Sequence, residues 1–550
     1  MTETASIPRP GETTIGGLLA ARAREMPEAL FAAFPDCEVT YGEMDAQARA
    51  VARGLIALGV TPGAHVALLM PNCPQWLQAY FGALYAGAAV VPLNARYKRH
   101  ELAYTIEHSD AQVLLTTAAF AEFVDFAQLI TATLPDLESQ SDPIRLRLAG
   151  APKLKSVVMF GKAPPNAFLS SEQLRELGSA IPDAAIEVAR GKAVPDDVVA
   201  LMYTSGTTSN PKACALTHVG IQRSWYTFSE CVDLQRGEFL WMPMPFFHTG
   251  GIGPMTAIMS RGAGFVTQPH FEPDGIVPLI EKYRVGHWYS GFPQFSLTVL
   301  QCPAYSPERF GFIRSMLNVG PPGMQRGIQA LLPEGAVLLN LFGMTEGSGI
   351  VTFTPWDASL DIRATTSGKP PGHTEVRIVD PETGRLCPVE VAGEIQFRGG
   401  GALAYYYRDP QATAQTILEG GWVRTGDRGK LDAQGWLYYL GRLKDMLKVG
   451  GENVAAAEIE FFLSQHPQVK LAQVIAAPDE RMGEVPVAFI ERAPGATVTE
   501  EALLEMCAGQ LARWKIPRAV VFVTEWPMSA TKVQKFRLRE LLPERFRQAI

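Results

Sequence analysis

The segment Tyr203–Lys212, with the sequence YTSGTTSNPK, decides how the rest of the chain is interpreted. It gathers serine and threonine hydroxyls around Gly206 and follows the apolar run Val198–Met202, which predicts a buried strand. Free backbone N–H groups, several hydroxyls and one ammonium after a strand suit a polyphosphate. The common G-x-x-x-x-G-K-[ST] nucleotide loop is excluded because Pro211 precedes the lysine. A flexible surface loop is the alternative for an arbitrary segment of this composition.

Length and composition bound the class of protein. At 550 residues the chain is too long for one hydrophobic core and should fold as several domains. Hydrophobic residues make up 47% and charged residues 19%, which is an ordinary balance for a globular protein. The net charge of −7 is spread without long basic runs, so nucleic acid is not expected as a partner.

Cysteine usage and the termini predict the compartment. The seven cysteines are scattered and odd in number, which favours reduced thiols over a disulfide framework or a C-x-x-C metal site. The first ten residues lack the basic start and apolar core of a signal peptide. No apolar run reaches the roughly 18 residues of a membrane span, so no transmembrane segment is expected. These features predict a cytoplasmic protein.

Predicted strands alternate with predicted helices along most of the chain. Val66–Met70 and residues 87–94 have the pattern of strands, and Trp76–Ala86 has helical spacing between them. Alternation of this kind predicts an α/β fold in which helices cover parallel sheets. Residues 135–195 carry several prolines and no clear period, so they are expected to form a variable surface excursion.

A second polar cluster ends the predicted strand that begins at Val337. Phe342 can stack on a purine face, Gly343 allows a close backbone approach, and Glu346 can hold a Mg²⁺ that spans phosphates. An ordinary strand exit with a solvated glutamate is the alternative for this motif taken alone. Beyond Ser367, short alternating strands with Gly and Pro turns predict a small β-barrel-like subdomain over residues 367–440.

The segment Tyr203–Lys212 resembles the phosphate loop of the adenylate-forming superfamily, which includes acyl-CoA synthetases, luciferases and peptide-synthetase adenylation domains. Further motifs that resemble this family follow in its order, from about residue 40 to residue 540. They are Thr40–Asn94, Pro245–Gly251, Val337–Gly347, Gly421–Asp427, Gly441–Asn453 and Pro527–Arg539. The chain is identified as a member of the acyl-CoA synthetase branch.

The resemblance implies a domain organisation and a set of ligands. A large N-terminal AMP-binding domain is expected over residues 1–440, a hinge over 441–446 and a smaller, mobile α+β domain over 447–550. ATP, Mg²⁺ and CoA are the expected cofactors and co-substrates. Lys444 is expected to be the hinge residue, which absorbs the backbone rotation.

The resemblance also implies the role of individual residues. Those expected to bind the nucleotide are Thr204, Ser205, Gly206, Thr207, Thr208, Lys212, Gly320, Pro321, Asn340, Phe342, Gly343, Met344, Thr345, Asp427 and Arg442. Those expected beside CoA are Gly450 and Gly451, and those expected around the acyl tail are Trp225, Phe247, Phe292 and Val319. The catalytic assignments are Lys532, Glu346, Thr204 and His248, with Glu346 as the metal ligand.

The assignment of Lys532 rests on a motif from which the chain departs. The family writes this loop Pro-x-Thr-x-Ser/Thr-Gly-Lys, whereas no glycine precedes Lys532 and the loop is one residue shorter. The flanking segment Lys532–Lys535 fixes the alignment. The implied reaction is the activation of a carboxylic acid by ATP to acyl-AMP with release of pyrophosphate, followed by transfer of the acyl group to CoA.

The same motifs allow other functions. A ligase that passes acyl-AMP to a carrier protein and a catalytically impaired paralogue are the alternatives, although the paralogue would require the loss of Lys532, Glu346 or Asp427. A peptide-synthetase domain is disfavoured because no aspartate adjoins Phe246 and Phe247, and a luciferase because the chain ends RQAI. The largely apolar wall residues imply an uncharged acyl tail, whether aliphatic, alicyclic or aromatic. A homodimer is the base-rate expectation.

Overall fold

The computed structural model describes residues 8–161, 165, 167–204, 211–450, 452–508, 510–528 and 533–547. Several predicted site residues lie outside the described residues: Ser205, Gly206, Thr207, Thr208, Gly451 and Lys532. The chain divides into two compact units. The first comprises residues 1–375 and 397–423, and the second comprises residues 376–396 and 424–550.

The strands are numbered in chain order. They are β1 Leu30–Ala33, β2 Glu38–Thr40, β3 His65–Leu69, β4 Ala89–Pro92, β5 Val113–Thr117, β6 Ser156–Phe160, β7 Leu169–Ser170, β8 Val198–Thr204, β9 Lys212–Thr217, β10 Phe239–Trp241, β11 Gly264–Val266, β12 His287–Gly291, β13 Ser315–Asn318, β14 Val337–Leu339, β15 Leu341–Phe342, β16 Thr352–Phe353, β17 Thr374–Val379, β18 Gly393–Gly399, β19 Tyr405–Tyr406, β20 Val423–Leu431, β21 Leu437–Arg442, β22 Met446–Val449, β23 Glu452–Ala455, β24 Val469–Asp479, β25 Gly483–Arg492 and β26 Ala519–Phe522.

The helices are numbered in the same way. They are α1 Ile15–Glu25, α2 Tyr41–Ala57, α3 Pro74–Tyr85, α4 Arg99–His108, α5 Phe126–Thr133, α6 Ser171–Gly178, α7 Asp183–Lys192, α8 His218–Cys231, α9 Thr249–Arg261, α10 Pro273–Lys282, α11 Pro293–Leu300, α12 Pro322–Gln329, α13 Leu360–Thr365, α14 Pro410–Thr416, α15 Ala456–Leu463, α16 Glu500–Cys507, α17 Lys535–Leu538 and α18 Glu544–Arg547.

The first unit contains two large sheets. Within the described residues, one has the strand order β19-β9-β8-β4-β3-β5-β6-β7 and the other the order β14-β13-β12-β10-β11-β1-β2. Strands β3 to β8 pair in parallel, as do β10 to β14, because helices return the chain to the same edge after most of these strands. Their side chains are buried on both faces, as expected of parallel sheets. The predicted α/β fold class is confirmed.

The interpretation of residues 135–195 as a surface excursion was wrong. This stretch supplies β6, all of whose residues are buried, and β7, the edge strand beside it. It also supplies α6 and α7, which pack on α2. The five-residue run Ser156–Phe160 is too short to show a period, and the prolines lie in the connections around it.

Local sequence explains where several helices begin and end. Thr40 and Glu43 form a capping box at the start of α2, with each side chain accepting from the other residue's backbone N–H group. The buried Arg22 on α1 donates to the carbonyl groups of Met259 and Ser260 at the end of α9. A cation at this end also complements the helix dipole, so Arg22 fixes the position of α9.

The second unit contains β-structure of two kinds. A sheet with the order β17-β18-β20-β21 has most of its residues in this unit, and the observed strands cover those predicted between 375 and 440. A second sheet has the order β23-β22-β25-β24, with β26 beside β25, and carries α15 and α16. The predicted domain boundary at residue 440 stays a prediction, because the compact units divide the chain at different points.

Two further observations concern predictions from composition. All seven cysteines have free thiols. In the part of the chain that the structure describes, no helix is both long and apolar enough to cross a lipid bilayer.

A buried histidine at the start of α8 should make stability depend on pH. His218 accepts a hydrogen bond from the backbone N–H group of Ile15, and burial lowers the pKa of His218 to about 4. Since the unfolded residue titrates near 6.5, the unfolded state binds the proton first as the pH falls. The neutral, buried His218 therefore makes its full contribution to stability above pH 6.5. About 3 kcal/mol of the free energy of unfolding is lost as the pH falls from 6.5 to 4.

We expect His218→Asn to flatten that part of the stability curve, because asparagine offers an acceptor that does not titrate. Urea unfolding at a series of pH values measures the effect. The control is His270→Asn, which removes an exposed histidine. Equal slopes for the two variants between pH 4 and 6.5 would contradict the assignment.

Candidate active site

Predicted site residues follow the carboxyl ends of neighbouring parallel strands. His248 and Phe247 come after β10, Phe292 comes after β12, and Val319 comes after β13. The chain runs from β10 to β11 on one side and then to β12 on the other, so the strand order reverses beside β10. Open α/β sheets bind ligands in the crevice at such a reversal. The backbone N–H group of Val319 donates to the carbonyl of Gly291 at 2.9 Å, which joins two of these strand ends.

Asn72 connects the two sheets at this edge. It follows β3 of one sheet, and its amide nitrogen donates to the carbonyl of Met244 at 2.9 Å. Its amide oxygen accepts from the backbone N–H group of Phe246 at 2.7 Å. The side chain is buried, so each of these bonds satisfies a group that water cannot reach. Asn72 therefore fixes the segment that leads to His248.

His248 begins α9 at its N-cap position. Its carbonyl accepts from the backbone N–H groups of Gly251 and Ile252, and its ring contacts that of Phe247 with centroids 4.7 Å apart. The turn before the helix is tight, since a Cβ atom on Gly251 would lie 2.2 Å from the carbonyl oxygen of Pro245. The backbone hydrogen bonds of the turn and the contact with Phe247 hold the imidazole half-buried at the start of the helix.

The predicted phosphate loop is framed by an antiparallel hairpin. Thr204 ends β8 and lies opposite Lys212, which begins β9. The Thr204 hydroxyl donates to the Lys212 carbonyl at 3.4 Å, and the Lys212 ammonium lies 5.3 Å from the centroid of the Tyr406 ring. The loop donors between these strands lie outside the described residues. The hairpin nevertheless brings one hydroxyl and one ammonium to the two ends of the loop.

Glu346 lies in a 3-10 turn, Thr345–Gly347, shortly after β15. Its carboxylate accepts from the hydroxyl of Tyr406 at 2.7 Å, and its carbonyl accepts from the backbone N–H group of Leu403 at 2.8 Å. The carboxylate is half-buried rather than solvated. Both contacts come from the segment around β19, which pairs with β9. The glutamate and Lys212 are therefore linked through one tyrosine.

Trp225 binds the end of this turn through a hydrogen bond. It is fully buried on α8, and its indole nitrogen donates to the carbonyl of Ser348 at 2.8 Å. Two glycines make room for its ring, since a Cβ atom on Gly253 would lie 2.0 Å from the ring and one on Gly349 would lie 2.9 Å from it. Trp225 was assigned to the acyl pocket, and this assignment stays a prediction. In the present structure its ring has no exposed surface.

The other residues of the first unit that are predicted to bind the nucleotide lie after β13 and around β14 and β15. Asn340 is buried. Its amide nitrogen donates to the carbonyl of Thr366, and its amide oxygen accepts from the backbone N–H group of Leu341. Gly343 tolerates no side chain, because a Cβ atom would lie 1.9 Å from the carbonyl oxygen of Gly349. Phe342 is largely buried, while Met344, Thr345, Gly320 and Pro321 are partly exposed. Asn340 thus shapes the turn through its own hydrogen bonds.

In the second unit, Asp427 and Arg442 face each other on β20 and β21. The guanidinium Nε of Arg442 lies 2.9 Å from Oδ1 of Asp427, which is buried. The backbone N–H group of Asp427 donates to the Thr425 hydroxyl, and that hydroxyl donates to the carbonyl of Ile395. The two residues that were predicted separately therefore form one ion pair.

The predicted hinge also lies in the second unit. Lys444 belongs to a 3-10 turn, Leu443–Asp445, between β21 and β22. Burial lowers the pKa of Lys444, the charges of Arg442 and Lys535 act in the same direction, and Asp445 opposes them. Gly450, which follows β22, has φ of +60°, a conformation that favours glycine.

The donor set fits a metal ion that is held mainly by a substrate. Among the described residues, no group of three or more His, Cys, Asp or Glu side chains could hold a metal. Mg²⁺ typically binds through one or two carboxylates together with phosphate oxygens and water. Glu346, half-buried beside the phosphate-loop hairpin, satisfies that requirement.

Sequence reasoning missed two residues at this edge, Asn72 and Tyr406. Both act through neighbours that are distant in sequence, at separations of 172 residues for Asn72 to Met244 and 60 for Tyr406 to Glu346. No local pattern signals such contacts. The nearest signals were the Pro71–Asn72 strand exit and a run of three tyrosines, Tyr405–Tyr407.

Two family models match long segments of the chain. Residues 19–407 match the family model described as AMP-binding enzyme, and residues 458–532 match the AMP-binding enzyme C-terminal domain. The chain is 32% identical to YngI of Bacillus subtilis (strain 168), over 97% of this chain and 98% of that protein. It is 30% identical to the mitochondrial medium-chain acyl-CoA ligase ACSF2 of Rattus norvegicus, over 96% of this chain and 88% of that protein.

A solved structure is similar over nearly the whole chain. The crystal structure of ATP-bound MatB from Rhodopseudomonas palustris has a TM-score of 0.81 and 27% sequence identity, and the match covers 96% of this chain and 99% of that chain. The resemblance that the motifs indicated is thereby confirmed.

Removing the Asn72 side chain should loosen the segment before His248. We expect Asn72→Ala to lower the free energy of unfolding by about 2 kcal/mol, because two buried backbone groups lose their partners. Urea unfolding measures this loss, and hydrogen exchange of residues 243–251 should become faster. Asn94→Ala is the control, since the Asn94 side chain accepts from the backbone N–H group of Arg96 within its own turn. Equal stability and equal exchange for the two variants would refute the role of Asn72.

Proposed function

Because the chain belongs to the AMP-binding enzyme family and is an AMP-forming acid–thiol ligase, we propose that it activates a monocarboxylic acid with an apolar tail and transfers the acyl group to CoA. The observation that carries this proposal is the convergence of Thr204, Lys212 and Glu346 around one hairpin and turn in the first unit. These are the donors, the cation and the carboxylate that ATP and a reacting carboxylate require.

In the first half-reaction, a carboxylate oxygen attacks the α-phosphorus of ATP and pyrophosphate leaves. Negative charge builds up on the phosphate oxygens, so the Thr204 hydroxyl, the Lys212 ammonium and the donors of residues 205–208 would stabilise it. Glu346 would hold Mg²⁺, which supplies further positive charge to the phosphate oxygens when it is bound. His248 would orient the carboxylate, and Lys532 would donate to the reacting oxygens.

Recognition of the nucleoside is assigned to other residues. Phe342 would stack on the adenine, and Gly343 would allow the backbone to approach it. Asp427 would accept from the ribose hydroxyls, and its ion pair with Arg442 would orient the carboxylate for that purpose.

In the second half-reaction, the thiol of CoA attacks the acyl carbon of acyl-AMP, and AMP leaves. Gly450 and Gly451 would leave space for the pantetheine chain because they carry no side chain. A backbone rotation at Lys444 would withdraw Lys532 and present these glycines, so that one chain serves both half-reactions. A homodimer and a cytoplasmic location remain predictions.

The proposed acid follows from the residues around the acyl end. Phe247, Phe292 and Val319 are apolar and lie at adjoining strand ends. Arg326, the nearest arginine along the chain after Val319, is ion-paired with the exposed Asp361. A wall of apolar residues favours an uncharged tail over a second carboxylate. The activity named for the similar ACSF2 protein, a medium-chain acyl-CoA ligase, is in keeping with such a tail.

The proposal predicts pyrophosphate release that requires an acid and continues only with CoA. The assay uses ATP and Mg²⁺ with fatty acids of several lengths, cinnamates, benzoates and cyclic acids, each with and without CoA. We expect multiple turnovers with CoA, a single turnover without it, and a preference for acids with apolar tails. A burst that stalls even with CoA would favour a carrier protein as acceptor. Preference for dicarboxylic acids would contradict the proposed pocket.

The two C-terminal lysines allow the catalytic assignment to be tested. We expect Lys532→Ala to slow acyl-AMP formation by about a hundredfold or more, the usual effect of removing a donor aimed at developing charge. Thioester formation from supplied acyl-AMP should change far less. Lys535→Ala is the matched control, because the Lys535 ammonium is already paired with Glu460 at 2.5 Å. If Lys535→Ala alone slowed the first step, the alignment through the shortened loop would be wrong.

A further inference from the structure

Tyr406 contacts both charged residues of the proposed phosphate site. Its hydroxyl donates to Oε1 of Glu346 at 2.7 Å, and the ammonium of Lys212 lies 5.3 Å from its ring centroid. The side chain is largely buried, with 6% of its surface exposed. A tyrosine hydroxyl ordinarily keeps its proton at neutral pH, so this one is available as a donor.

The backbone around Tyr406 is held firmly. Tyr406 lies opposite Cys214 on β9. Its backbone N–H group donates to the Thr413 hydroxyl at 2.9 Å. The next residue, Tyr407, donates its hydroxyl to Asp110 at 2.8 Å. The strand is thus anchored on both sides of the tyrosine, which restricts where its hydroxyl can lie.

We propose that Tyr406 is a positioning residue for the first half-reaction, with its hydroxyl orienting Glu346 toward the metal ion and its ring supporting the Lys212 ammonium. This inference rests on the proposed function, because the metal–nucleotide complex is what these two residues would bind. One carboxylate oxygen of Glu346 accepts from the hydroxyl, which would leave the other to bind the cation. Outer-shell hydrogen bonds of this kind set the orientation of metal-binding carboxylates.

The ring has a separate role from the hydroxyl. A cation over an aromatic face is attracted by the ring quadrupole. The contact restricts the flexible Lys212 side chain, which would otherwise lose more rotamer freedom when it binds a phosphate. The two roles can be separated by substitution, because Tyr406→Phe removes only the hydroxyl, whereas Tyr406→Leu removes both.

The test measures binding rather than turnover. Free Mn²⁺ is followed by electron paramagnetic resonance in the presence of α,β-methylene-ATP, which cannot release pyrophosphate. We expect Tyr406→Phe to weaken Mn²⁺ binding about tenfold, the usual effect of losing an outer-shell partner. Its affinity for the nucleotide in EDTA should stay unchanged. Tyr406→Leu should weaken nucleotide binding in EDTA as well. The control is Tyr405→Phe, which alters the exposed neighbour on the same strand and should leave Mn²⁺ binding unchanged.

A second variant isolates the hydrogen bond from any general effect on folding. In a Glu346→Gln background, Tyr406→Phe should cause no further loss of Mn²⁺ affinity, since the residue that it orients has already lost its charge. An undiminished loss in that background would overturn the proposal, as would equal Mn²⁺ affinities for Tyr406→Phe and Tyr405→Phe. A wild-type chain that releases no pyrophosphate with any acid contradicts the proposed function instead. If the wild-type chain turns over but Tyr406→Phe binds Mn²⁺ as tightly as the wild type, this inference alone is contradicted.

Discussion

Parallel strands bring all of their carboxyl ends to one edge of a sheet, and the site depends on this constraint. In the first unit, helices return the chain so that β10, β12 and β13 end side by side. Residues 247, 292 and 319 become neighbours for that reason, although they are far apart in sequence. The other large sheet of this unit contributes through Asn72, whose amide nitrogen and amide oxygen both bind the segment after β10. The edge would be a set of independent loops without this buried link.

Strand pairing also positions the charged residues. The antiparallel strands β8, β9 and β19 close one edge of the larger sheet, and their cross-strand positions bring Thr204, Lys212 and Tyr406 together. The turn that carries Glu346 is held by a hydrogen bond from the Tyr406 hydroxyl to Glu346 and by one from the Trp225 indole to Ser348. Glycines at positions 253, 343 and 349 allow this packing, since a side chain at any of them would overlap its neighbours. Preorganised charge of this kind is a large source of rate enhancement in phosphoryl and adenylyl chemistry.

Much of the fold could be predicted because its elements are signalled locally. The predicted helix Trp76–Ala86 matches α3, and the predicted strands Val66–Met70 and Val198–Met202 lie within two residues of β3 and β8. The stretch 135–195 was misjudged, because a buried strand of five residues shows no period and the prolines around it suggest loops. Motif spacing also identified the family. Contacts such as Asn72 with Phe246, or Tyr406 with Glu346, could not be predicted, because they depend on the pairing of distant strands.

The central claim is that the carboxylate attacks the α-phosphorus of ATP, so that acyl-AMP precedes the thioester. The most direct measurement supplies an acid labelled with ¹⁸O in both carboxylate oxygens, together with ATP and CoA, and analyses the products by mass spectrometry. Attack at the α-phosphorus followed by thiol attack on the acyl carbon leaves one ¹⁸O atom in AMP and one in the thioester. Appearance of the label in phosphate or pyrophosphate, with AMP unlabelled, would contradict the account.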